Sequence, residues 1–77
     1  MQQELSIKIF DMLNKIKDIP IVIQVHKGRK KYKKFKGIIN GVYNNIFTIV
    51  PLDETKITQS YSFTDLITKD IVLIGYA

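Results

Sequence analysis

The sequence predicts a mainly β protein: a small, strongly bent five-stranded barrel with an N-terminal α-helix. Three observations carry this expectation. Apolar residues recur at helical spacing only ahead of Pro20. After it come five short runs rich in β-branched and aromatic residues, separated by turn signals. The longest run holds Gly37 and Gly41, which allow a strand to bend as a small barrel requires. Consecutive short strands of this kind close on themselves more readily than they lie flat, with the helix over an open end or face.

From about Gln3 to Lys17, the residues Leu5, Ile9, Met12, Leu13 and Ile16 fall within an arc of about 100°, the stripe of a helix laid on a core. Ile7 lies nearly opposite and Phe10 on the flank. Each is either a tolerated exposed apolar side chain or a contact to a partner subunit. Pro20 closes the helix, because it disfavours helical geometry at Ile19 and cannot donate a backbone hydrogen bond. Residues 1–19 thus form helix and cap, and 20–77 the barrel, within one domain spanning 1–77. Ile21, Ile23 and Val25 alternate with Val22, Gln24 and His26 as a half-buried strand, which Gly28 ends in a tight turn. From Lys30 to Lys36 lysines occupy both strand parities, and a strand charged on both faces cannot lie on a core. This part should therefore project as a hairpin, with Phe35 where the chain re-enters the body.

Gly37 to Tyr43 continues as a strand, and Asn44-Asn45 tolerates the left-handed geometry of a turn. Ile46 to Val50 is a short strand stopped by Pro51, and Leu52 to Lys56 a polar loop. In Ile57 to Phe63 the parities separate, with Ile57, Tyr61 and Phe63 inward and Thr58, Ser60 and Ser62 outward. Thr64-Asp65 caps a single helical turn through Leu66-Ile67. Ile71 to Tyr76 is apolar at nearly every position and reads as a strand buried on both sides.

Charge is concentrated in one place. In Lys27-Gly28-Arg29-Lys30-Lys31-Tyr32-Lys33-Lys34-Phe35-Lys36, seven of ten residues are cationic and none is acidic. The other five cations and seven carboxylates leave the rest of the chain two charges negative, so the net +5 comes from this run. Every cation in it except Arg29 is lysine, a hydrated point charge suited to phosphate or acidic surfaces rather than to bidentate reading of base edges. The candidate site is Lys27, Gly28, Arg29, Lys30, Lys31, Tyr32, Lys33, Lys34 and Lys36. The cations supply charge, Gly28 lets the turn approach closely, and Tyr32 offers a ring. Tyr32 and Phe35 either form a stacking surface for single strands or pack across the hairpin and plug the barrel mouth. The run itself has three readings: an RNA or DNA backbone grip, a dock for an acidic protein partner, or a solvated guard on an edge strand. His26 is a spectator beside it or a phosphate contact.

Catalysis has little to work with. Ser60, Ser62 and His26 lack the glycine-rich elbow of a serine nucleophile, and Asp53-Glu54 sit in a polar loop. Gly28-Arg29-Lys30-Lys31 lacks the second glycine and the Lys-Ser/Thr ending of a phosphate-binding loop. With no cysteine and one histidine, neither a disulfide nor a thiolate metal site is available, and no cofactor or metal is expected. The N-terminus shows no basic leader and no apolar run approaches the ~18 residues of a membrane span, so no membrane and a cytoplasmic location are expected. A chain this small without staples packs efficiently or borrows surface from a second copy, which leaves a homodimer open.

Gly28-Arg29-x-Lys31, then Gly37-Ile38, Tyr43 and Phe47, then Ser60-Tyr61-Ser62-Phe63-x-Asp65-x-x-Thr68 resemble the successive signatures of the Veg family of small bacterial proteins. Its members carry a Gly-Arg-Arg-Lys-like turn, a Ser-Tyr-Ser-Tyr-x-Asp-like strand end, and a short helix before the first strand. The similarity covers most of the chain, and the serine–tyrosine block is its most specific part. It implies an SH3-like barrel with an N-terminal helix, a source among Gram-positive bacteria and their wall-less relatives, and stimulation of biofilm formation through transcription of matrix genes, without enzymatic activity. Lys33, Lys34 and Lys36 depart from the acidic or mixed residues of relatives. The sequence also stops at Ala77, where relatives often continue into a polar tail, so a contact through such a tail is not expected. Together these readings predict a non-enzymatic regulatory module whose basic hairpin contacts nucleic-acid phosphates with little sequence selectivity. The alternative is a regulator that sequesters another protein, such as a transcriptional repressor.

Overall fold

The structure, a computed structural model, describes residues 2–26, 28, 30–53 and 57–77, with backbone alone at 2 and 3. Helix α1 (Gln2–Ile16) precedes strands β1 (Ile21–His26), β2 (Tyr32–Val42), β3 (Ile46–Pro51) and β4 (Gln59–Ser62), then a short helix α2 (Phe63–Ile67) and strand β5 (Ile71–Tyr76). The strands form one antiparallel sheet in the order β4-β3-β2-β1-β5. The protein is therefore mainly β, as the sequence predicts. The sheet curls but does not close. Tyr61 of β4 lines the same cavity as Val25 of β1 and Ile71 of β5, so the two edges face each other across a gap. β4 stops after four residues because Ser62 leaves the sheet to begin α2, which carries the chain across that gap.

The helix ends where Asp18 turns left-handed at φ 66°. Its amide donates to the Ile39 carbonyl at 2.9 Å, tying the helix exit to the middle of β2. Ile9 and Leu13 of α1 meet Ile21 and Ile23 of β1, Ile39 of β2, Phe47 and Ile49 of β3, Phe63 and Ile71 in one buried cluster. Phe47, fully buried, holds its ring centroid 6.0 Å from Tyr61 and 6.3 Å from Phe63. Both β2 glycines mark close approaches. A Cβ on Gly37 would stand 2.9 Å from Ile49 Cγ2, while the Tyr43 ring folds over Gly41 beside a bulge in the β2–β3 register.

Four expectations change. Leu5 and Met12 of the predicted stripe are each 41% exposed, because the buried face of α1 centres on Ile9 and Leu13. Ile57 is 65% exposed and precedes β4, so the inward parity does not extend back to it. The second helix is capped by Ser62 rather than Thr64. Asp65 N–H donates to Ser62 Oγ at 3.3 Å and Ser62 N–H to Asp65 Oδ2 at 3.0 Å, a reciprocal capping box. β5 is not buried on both sides, because it forms a sheet edge and its burial fades from Ile71 toward Tyr76.

Candidate functional site

The basic run does not leave the body as a free hairpin. Tyr32 to Lys36 is the first half of β2 and pairs in register with β1, from His26 opposite Tyr32 to Val22 opposite Lys36. Pairing satisfies the backbone on the β1 side, and of the described residues Gly28, Lys30 and Lys31 extend past the strands. Gly28 holds φ 120°, which a side chain rarely adopts, and Lys30 is left-handed at φ 60°. Lys31 N–H closes the turn on the Gly28 carbonyl at 3.3 Å. Lys27 and Arg29 lie outside the described residues.

Charge on both parities is accommodated because both faces of the sheet are wet at this end. Lys30, Lys31, Lys33, Lys34 and Lys36 are all exposed. By the pairing register, Tyr32, Lys34 and Lys36 share the outer face with His26, Gln24 and Val22. Lys33 takes the inner parity, at a small mouth of about 50 Å³ that it lines with Phe35, Asp53 and Tyr61. Phe35 is half-buried and packs on the core while lining that mouth. On the other side of β2, pairing with β3 begins at Gly37, and the Leu52 amide reaches the Lys36 carbonyl at 2.9 Å. Among the described residues, Tyr32 to Phe35 thus have a strand neighbour on one side alone.

Tyr32 packs across the hairpin against His26, ring centroids 4.4 Å apart at 59°, and remains 57% exposed. That contact fixes the ring's position and leaves a face to solvent. Tyr61, deeper in the mouth, donates its hydroxyl to Gln59 Oε1. Burial, with the charge of Asp65 adding to it, pushes the Tyr61 phenol above its usual 10.0. Among the described residues no group of three or more His, Asp or Glu could hold a metal, and no helix is long and apolar enough to cross a membrane.

Sequence reasoning missed a second surface. An open groove of about 570 Å³ runs between α1 and the α2–β5 segment, lined by Leu5, Met12, Leu66, Ile67 and Val72. Its legible signal was the apolar pair Leu66-Ile67 just after the capping box, with the outer part of the α1 stripe.

This arrangement defines a class: a small helix-capped β module with a basic ladder on one strand. The sequence model of the family described as biofilm formation stimulator VEG matches residues 6–74, and the chain belongs to that family. Membership implies a biofilm-related regulatory role. Comparison with curated proteins and with solved structures finds no match.

Proposed function

We propose that this chain is a non-enzymatic regulatory module that grips nucleic-acid phosphates through Lys30, Lys31, Lys34 and Lys36, flanked in sequence by Lys27 and Arg29, with little sequence selectivity. One observation carries the reading. Lys34 and Lys36 stand on the same face of a paired strand, continuous with the cationic turn and beside the half-exposed ring of Tyr32. Same-face residues on a strand lie about 7 Å apart, so flexible ammonium groups at that pitch can follow a backbone while Tyr32 stacks on a base. Near-exclusive use of lysine supplies charge without a base-reading fork. Such a grip suits transcription control in the cytoplasm.

Salt titration with a single-stranded oligonucleotide tests this. Four engaged lysines give a slope of log affinity against log salt of about −3, a loss near 50-fold between 50 and 200 mM. No binding at low salt would discard the phosphate reading in favour of an acidic protein partner on the same ladder.

A further inference from the structure

We infer that the groove beside α1 is filled by α1 of a second copy of this chain, packed antiparallel about a two-fold axis near Ile9. Apolar surface is exposed there on a helix that already buries its inner face: Leu5 and Met12 flank the groove, and Ile67 faces them from α2. Among the described residues Lys69 is the one polar residue in the groove lining, so they offer little to orient a small polar ligand.

The charges beside this flank select the occupant. At about 100° per residue, Glu4, Lys8, Asp11 and Lys15 form a strip adjoining Leu5 and Met12, and all four are exposed. Read along the helix they run minus, plus, minus, plus. A two-fold axis maps such a strip onto its own complement, bringing Glu4 to Lys15 of the second copy and Lys8 to Asp11 of the second copy, each pair occurring twice. The same axis brings Leu5 to Met12 of the second copy. Centred at Ile9, it leaves every one of these pairs within about 1.5 Å of level along the helix. A parallel arrangement would instead set like against like. The strip is neutral overall, unlike the face a polyanion or an anionic membrane would select. The interface lies apart from the lysine ladder and stands independently of the nucleic-acid reading.

Sedimentation equilibrium of the full chain, from micromolar to near-millimolar concentration, should show mass rising from 8.9 kDa toward twice that value. Met12→Glu, at an exposed position, should weaken association at least tenfold with its circular dichroism unchanged. Lys8→Glu and Asp11→Lys should each weaken self-association. An equimolar mixture of the two should restore it, because each chain then complements the other, and a folding defect would not be rescued that way. The chain has no cysteine, so Leu5→Cys and Met12→Cys chains can report orientation. Antiparallel packing forms the mixed disulfide and disfavours both homodisulfides, whose partners would sit about 9–12 Å apart along the axis. A wild-type mass that stays at 8.9 kDa, association indifferent to Met12→Glu, or failure of the charge-swapped mixture to associate would each overturn the proposal.

Discussion

Gly37 is the joint between the basic half of β2 and its core half, and replacing it with alanine probes how tightly that joint is built. An added Cβ would lie 2.9 Å from Ile49 Cγ2, 3.2 Å from Ile23 Cδ1 and 3.3 Å from the Val50 carbonyl oxygen. Ile49 and Ile23 are fully buried, so neither side chain can swing into solvent to make room. Overpacking of this kind costs about 1–3 kcal/mol. The restricted unfolded chain returns about 0.4–1 kcal/mol of that. With Cβ contacts this tight on buried neighbours the upper part of the overpacking range applies, about 2–3 kcal/mol, leaving a net loss of about 1–2 kcal/mol. In a domain of this size each kcal/mol moves Tm by about 4–8 °C, so Gly37→Ala should melt roughly 4–16 °C below wild type. Thermal unfolding followed by circular dichroism measures this directly. Gly75→Ala serves as the control: Gly75 also sits in a strand, yet nothing lies within 4 Å of its notional Cβ. It should be neutral or slightly stabilising. If Gly37→Ala melts with or above the control, the inner faces of β1, β2 and β3 are not packed as described.

Lys34→Gln with Lys36→Gln should halve the salt slope for oligonucleotide binding to about −1.4, while the melting temperature stays near wild type because both side chains are exposed. Ser62→Ala and Asp65→Ala should each cost about 0.5–2 kcal/mol, and the double variant less than their sum, since they share one capping box. Urea midpoints would reveal additive losses if the two bonds acted separately. Tyr61 holds its proton more tightly when folded, its pKa lying above 10.0 through burial first and Asp65 second. The contribution is complete below pH 10 and is lost as pH rises through the folded value. Melts of Tyr61→Phe should therefore decline less steeply above pH 10 than wild type, and identical slopes would remove the effect.

Much of the fold was legible because local chemistry and tertiary packing agree. Ile21, Ile23 and Val25 alternate as β1 does, Asn45 sits left-handed at φ 65°, and Gly37 and Gly41 mark a close approach and a bulge. The rest depended on how much surface so small a sheet can cover. A helical wheel shows that Leu5 and Met12 belong to the apolar arc, but not that burial centres on Ile9 and Leu13, with Ile16 packed beside them. Periodicity carried Ile57 inward because parity alone does not mark where a strand begins. The apolar run of β5 suggested burial on two sides, yet strand order puts it at an edge. At the candidate site, the positions and exposure of the lysines followed from composition. Their placement on a paired strand did not, because a mouth wet on both faces is created by the curl of the whole sheet.

Among the described residues, Tyr32 to Phe35 have strand pairing on one flank only, and there they display a row of amides and carbonyls that any extended segment could match. What insulates that margin is mutual repulsion among ammonium groups, a common defence of open sheet borders. Lysines gathered on such a margin oppose edge-to-edge pairing of copies as a matter of charge, whatever else they bind. A series that strips them one by one erodes colloidal safety along with affinity, because each loss lowers the net +5 toward zero.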